Sequence, residues 1–131
     1  MILIDSNVPM YLAGAPHPNK LKARHQLEKL VYEQQRLVTD AEVFQEILHR
    51  YVALQRRDSI ASVFELLRGL VDEVFPVDLV IMEKARDIVL GYPRLSARDA
   101  LHAAVMRQHG IAQIFSFDSD YDDLPGISRL A

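Results

Sequence analysis

Four short apolar runs, each separated from the next by stretches of helical periodicity, restrict the fold of this chain more than any other feature. They are Ile2–Ile4, Leu37–Thr39, Val74-Phe75 with Val77, and Gln113–Ser116. Strands that alternate with helices throughout imply an α/β sandwich built on a parallel sheet. The first run, Ile2-Leu3-Ile4, is apolar on both faces, which suits a central strand covered by helices on both sides. It is too short for a helix, and Val8-Pro9 turns the chain just beyond it. In open α/β sheets ligands gather outside the carboxyl ends of the strands, so Asp5 stands at the mouth of a site. A plainer alternative is that Asp5-Ser6-Asn7 only caps the helix that follows.

The connecting segments follow the same logic. A short helix or turn runs to Gly14, and Pro16-His17-Pro18 reads as a loop. Leu21, Leu27, Leu30 and Val31 then recur at helical spacing to about Gln34. Lys20, Lys22, Arg24 and Lys29 stand against only Glu28 there, either as a solvated face or as a contact to a polynucleotide backbone. After Leu37–Thr39, Asp40 is placed to cap a helix whose apolar face is Phe44, Ile47, Leu48 and Tyr51. Glu42, Glu46, His49 and Arg50 share the opposite face, where Glu46 and Arg50 form an i,i+4 pair. Asp58 or Ser59 caps the next helix, with Ile60, Val63, Phe64, Leu67 and Val71 buried. Pro76 marks the third strand as an edge strand. Asp78 caps a helix that ends at Gly91, and a further helix runs from Ala97 to about His109, closed by Gly110. After the fourth strand the tail adds one short edge strand. The expected fold is a single α/β domain over residues 1–131, a three-layer sandwich with a small parallel sheet of four or five strands.

Composition excludes several classes. A chain of 131 residues buries about two-thirds of its unfolded surface, enough for one core. Without cysteine there is no disulfide framework and no thiolate metal site, which suits the cytoplasm. No apolar run approaches the roughly 18 residues of a membrane span, and the N-terminus lacks the basic flank of a signal peptide. A formal charge of -3 gives no general attraction to nucleic acid.

The acidic residues carry the chemistry. Asp5 follows one strand, Glu46 lies in the helix after a second, Asp118 follows another, and Asp99 occupies the first turn of a helix. In one layer order all four converge. Two carboxylates about 4 Å apart repel by about 4 kcal/mol at an effective dielectric of 20, so such a cluster needs protons or a divalent cation. Hard oxygen donors without cysteine point to Mg²⁺ or Mn²⁺. Each acid also has a local explanation. Ser96-Ala97-Arg98-Asp99 fits a capping box, and this segment taken alone favours the cap. Ser116 to Tyr121 is ordinary turn chemistry. His102 and His109, seven residues apart on one helix, read as packing or surface groups rather than ligands.

Taken together, ILIDSN, LVTDAEVFQEILHRY, LSARDALHAAV and FSFDSDYDDLPGI resemble the PIN-domain nucleases, and among them the compact VapC-type toxins of toxin–antitoxin pairs. The resemblance spans essentially the whole chain. It matches the family's strand-end aspartate to Asp5 with Ser6 beside it, its helical glutamate to Glu46 with Glu42 one turn earlier, and its third acid to Asp99. Its T-x-D-x-D-F element falls on Ser116, Asp118, Asp120 and Tyr121, where serine for threonine and tyrosine for phenylalanine keep a hydroxyl and an aromatic ring.

The resemblance implies a metal-dependent endoribonuclease in which metal-activated water attacks a phosphodiester. Asp5 and Asp99 would anchor Mg²⁺ or Mn²⁺, Glu46 and Asp118 would complete the acidic pocket, and Ser6, Ser116 and Asp120 would support it. It also implies an RNA substrate, inhibition by a cognate VapB-like antitoxin, and pairing as a homodimer. Two rivals use the same fold class. One is a PIN-fold binding module that has lost its chemistry. The other is an aspartate-based phosphatase or receiver domain, which wants a D-x-D after its first strand or a late lysine. Here the first strand ends in Asp5-Ser6-Asn7, and the last lysine is Lys84.

Overall fold

The computed structural model covers residues 1–131. Its elements in chain order are β1 (Ile2–Ile4), α1 (Asn7–Ala13), α2 (Pro18–Tyr32), β2 (Leu37–Asp40), α3 (Ala41–Ala53) and α4 (Ile60–Leu70). They continue with β3 (Glu73–Phe75), α5 (Leu79–Gly91), α6 (Ala97–Gln108), β4 (Gln113–Phe115) and β5 (Ser128–Leu130). All five strands are parallel, in the spatial order β3-β2-β1-β4-β5. The apolar run at the N-terminus is therefore the middle strand.

Alternation along the strands sorts the core into two layers, because successive side chains point to opposite faces. Leu3, Val38 and Ile114 pack with Ile81, Ala85 and Ile88 of α5 and with the buried side of α6. Ile2, Ile4, Leu37 and Phe115 face the other way, onto Ala23, Leu27, Val43, Ile47, Val63 and Leu67 from α2, α3 and α4. Residues 99–106 of α6 are all buried, and the small side chains of Ala100, Ala103 and Ala104 let neighbouring elements approach closely.

Local chemistry sets the boundaries. The Asp40, Asp78 and Ser96 side chains accept the N–H groups of Val43, Ile81 and Asp99, capping α3, α5 and α6. At the end of α6, Gly110 takes a left-handed φ of 67°, and the Ile111 N–H reaches back to the Met106 carbonyl at 2.8 Å. Two boundaries differ from the sequence expectation. The third strand stops at Phe75, before Pro76, which has no N–H to donate to the ladder. The start of α4 carries no side-chain cap from Ser59 and is instead entered through a 3₁₀ turn at Arg57–Ser59. No helix is long and apolar enough to cross a membrane.

From β1 the chain moves to β2 on one side, while β4 returns on the other. That reversal leaves a crevice at the carboxyl edge between β1 and β4, where open α/β sheets bind their ligands. Asp5, Asp40 and Ser116 stand at the ends of the three adjacent strands β1, β2 and β4.

Candidate active site

Asp5 leaves β1 into this crevice and is only 3% exposed. Its Oδ1 accepts the Ser6 N–H at 2.7 Å, and its Oδ2 accepts the Ser116 hydroxyl at 2.6 Å. The Asn7 amide spans the crevice: it donates to Asp5 Oδ2 at 3.4 Å, lies 3.3 Å from Ser116 Oγ, and accepts the Phe117 N–H at 3.2 Å. Burial pushes the Asp5 carboxyl above its ordinary range, against the lowering effects of the nearby His102 charge and the Ser116 hydrogen bond.

On the β2 side, Asp40 uses both carboxylate oxygens. Oδ1 caps α3, and Oδ2 lies 2.7 Å from Nδ1 of His102. The other ring nitrogen, Nε2, is 2.9 Å from Glu46 Oε1 and 3.9 Å from Asp5 Oδ1. His102 is wholly buried. Burial alone pushes an imidazole down, but here the charge and hydrogen bond of Asp40, the hydrogen bond of Glu46 and the charge of Asp5 outweigh it. They hold His102 well above its usual value. A ring donating from both nitrogens has no lone pair for a metal. Asp5, Glu46 and His102 bring ligand-type atoms within 4.8 Å of one another, yet only the two carboxylates have oxygens to offer.

The third wall is built from α6 and the segment after β4. The N–H of Asp99 bonds Ser96 Oγ at 3.1 Å, but its carboxylate does not close the reciprocal half of a capping box. It accepts the buried Tyr121 hydroxyl at 2.9 Å. Asp99, Asp118 and Asp120 bring carboxylate oxygens within 4.8 Å of one another. The Asp118 N–H bonds Ser116 Oγ at 3.0 Å, and its Oδ1 accepts the Asp120 N–H at 2.9 Å. Burial, together with a hydrogen bond to and the charge of Asp118, pushes the Asp99 carboxyl up to about 7. The charge of Asp5 adds to that shift, so both acid groups belong to one edge.

This donor set fits a hard divalent cation. Carboxylate oxygens crowd one edge, two of them are held above their ordinary range, and His102 is the one buried cation among them. Mg²⁺ and Mn²⁺ take such oxygen donors.

Residues 2–127 match the family model of the PIN domain. Over the whole length of both chains, the sequence is 56% identical to ribonuclease VapC13 of Mycobacterium tuberculosis. The chain belongs to the PIN domain family. Among solved structures, VapC20 of M. tuberculosis, described as a sarcin–ricin loop cleaving toxin, superposes with a TM-score of 0.77 at 21% identity, covering 93% of each chain. VapBC2 of Rickettsia felis, bound to a promoter DNA fragment, gives a TM-score of 0.76 at 11% identity, covering 99% of this chain and 98% of that one. These two likenesses establish the fold.

In this PIN domain Asp5, Glu46, Asp99, Asp118 and Asp120 line the same sheet edge, with Ser116 bonded to Asp5. Ser6 contributes its backbone N–H rather than its hydroxyl. Glu46 pairs with His102 rather than with Arg50. It is 6% exposed, beside buried Val43 and Ile47, while Leu48 from the expected apolar face is 41% exposed. The buried face of α3 is turned toward Val43 because Glu46 reaches inward to His102. Glu42 is half-buried, outside both acid groups, with its carboxyl raised by burial and by the charge of Glu46. Lys84 lies on the exposed side and bonds Gln108.

The sequence alone does not place His102, Asp40 and Asn7 in the site, and it offers Tyr121 only as the aromatic ring of the T-x-D-x-D-F element, not as the donor to Asp99. His102 falls three residues after Asp99, which puts both on one face of α6 at the same edge. His109, by contrast, is exposed and stacks on Phe75.

Proposed function

We propose that this chain is a divalent-metal-dependent endoribonuclease and the toxin of a toxin–antitoxin pair acting in the cytoplasm. The observation that carries the proposal is the pair of acidic groups, Asp5 with Glu46 and Asp99 with Asp118, beside the topological switch of the sheet. Full-length relatedness to ribonucleases supports the reaction class. Acids at every one of these positions favour an enzyme over a binding module without chemistry.

Asp5 and Asp99 would hold Mg²⁺ or Mn²⁺, with Glu46 and Asp118 completing the pocket. Bound there, the ion supplies Lewis-acid activation of water and neutralises charge on the phosphate. The chain's own groups prepare the site. Ser116 and the Ser6 N–H fix both oxygens of Asp5, and Tyr121 orients Asp99 by donating to it. Before metal arrives, burial and the neighbouring Asp118 hold the Asp99 carboxyl up at about 7, so that it takes up a proton readily. Asp120 is turned toward Asp118 through its backbone N–H and is the outermost of the acids.

A cavity of about 590 Å³ has Asn7 on its lining and is also bordered by Tyr11, Arg50, Tyr51 and Arg56. Its arginines offer contacts to RNA phosphates beside the acids. Solved toxin–antitoxin complexes of the same fold support an antitoxin partner for this chain. Leu79, Met82 and Leu90 on the outside of α5 are exposed and apolar, the kind of surface that a homodimer would cover. Purified without antitoxin, the protein should cleave single-stranded or loop RNA with Mg²⁺ or Mn²⁺, and EDTA should stop it. Cleavage that persists in EDTA would overturn the metal reading.

A further inference from the structure

We propose that His102 is a positioning residue that locks Glu46 into the metal-facing edge by bridging it to Asp40. The inference rests on the metal-site reading above, and the geometry supplies what is specific to the ring. Its two nitrogens lie 2.7 Å from Asp40 and 2.9 Å from Glu46, and the ring is fully buried. Asp40 is simultaneously the N-cap of α3, bonded to the Val43 N–H at 3.0 Å. The same ring therefore holds the start of α3 and a carboxylate almost two turns further along it.

That arrangement solves a problem particular to glutamate. A free Glu side chain has several rotatable bonds, and confining it costs conformational entropy. Asp5 is held by three neighbours and Asp99 by Tyr121, but the only hydrogen bond that anchors the Glu46 carboxylate comes from His102. One oxygen of Glu46 is occupied by the ring, which leaves the other free to face the crevice. The ring also lies 3.9 Å from Asp5 Oδ1, so it fixes the spacing between the two carboxylates as well as the direction of one. A merely space-filling ring would have no reason to place both nitrogens on acids. No buried side-chain nitrogen or oxygen in the protein lacks a partner.

Two variants separate positioning from support of the fold. In His102→Asn the side-chain amide can replace Nδ1 and keep the bond to Asp40, but it cannot reach Glu46. In His102→Gln the amide can replace Nε2 and keep the bond to Glu46, at the expense of Asp40. Both put a neutral amide in place of the ring, so the field the two variants present at the acids is matched. Wild type and both variants should be titrated with Mn²⁺ by calorimetry below their melting temperatures, with RNA cleavage measured alongside. The Asn variant should melt closer to wild type than the Gln variant yet lose about tenfold or more in Mn²⁺ affinity. The Gln variant should melt lower and bind Mn²⁺ at least about threefold more tightly than the Asn variant.

If affinity instead follows melting temperature, with Asn ahead of Gln in both, the ring only supports the fold and the proposal is overturned. Should the Gln variant fail to fold, Mg²⁺ titration of wild type followed by the His102 ring resonances decides. The resonances should move in step with Mg²⁺ saturation, and ring resonances that stay fixed would refute the bridge. Wild type that binds no Mn²⁺ at all overturns the metal reading and this proposal together. Wild type that binds, with both variants binding equally well, overturns this proposal alone.

Discussion

Glu46 and Glu42 differ by one helical turn, and the difference decides their fates. Glu46 is buried against His102, while Glu42 is half-buried beside it and belongs to neither group of converging acids. Glu46→Gln should therefore lower RNA cleavage by at least about tenfold, whereas Glu42→Gln should leave it within about threefold. A larger loss in the Glu42 variant, measured on the same RNA, would show that the wrong turn of α3 faces the metal. Asp5, Asp99 and Asp118 are legible as single residues because each follows a strand end or opens a helix. Asp99 is legible for a misleading reason: its serine partner does cap α6, but through the Asp99 N–H, and the carboxylate is left for Tyr121. His102 is not legible locally. Its partners are 62 and 56 residues away in sequence, and nothing in an alanine-rich helical segment announces them.

The strands of this sheet are readable at the scale of elements because each is a short apolar run bounded by turn residues, and parallel pairing follows from the helices between them. Period-2 sorting of Ile2, Leu3 and Ile4 between the two layers is the same signal seen from the core. Helix α3 is harder. Its four large apolar residues Phe44, Ile47, Leu48 and Tyr51 suggest one buried face, but the helix is rotated so that Val43, Glu46 and Ile47 point inward. A buried carboxylate with a hydrogen-bonded partner is tolerated, and a half-exposed leucine costs little, so hydrophobic spacing loses to the requirements of the site. Helix α6 shows the opposite limit. It is buried along most of its length, and no single apolar stripe marks its orientation.

For the molecule as a whole, the acidic edge makes stability and metal binding two sides of one balance. Asp5 and Asp99 are raised from 3.8 in the folded protein, Asp99 to about 7, so between these values the folded state holds protons that the unfolded chain has released. The contribution of Asp99 to stability therefore falls as pH rises from about 4 through about 7, and that of Asp5 falls as pH rises from about 4 through its own raised value. His102, raised well above 6.5, acts in the same direction: its contribution is present below 6.5 and is lost as pH rises through its folded value. In EDTA, scanning calorimetry should record a lower Tm at about pH 8 than at about pH 5.5, and saturating Mg²⁺ should flatten that slope. A metal-free Tm that climbs steadily to pH 8 would contradict the charge balance described here.

The most direct measurement of the central claim compares wild type and Asp99→Asn by thermal melting, in EDTA and in Mn²⁺. At about pH 8, above the value of about 7 to which Asp99 is raised, its carboxylate carries a charge whose removal relieves repulsion in the metal-free protein, so the variant should melt at the same temperature as wild type or higher in EDTA. At about a hundredfold excess over Kd, Mn²⁺ stabilises a protein that binds it only when folded by about 2.7 kcal/mol. Wild type should accordingly gain several degrees, and the variant much less. A variant that melts several degrees lower in EDTA, and gains as much from Mn²⁺ as wild type does, would mean that Asp99 only supports its helix and holds no metal, and a wild type that gains nothing from Mn²⁺ would mean that the acidic edge is not a metal site.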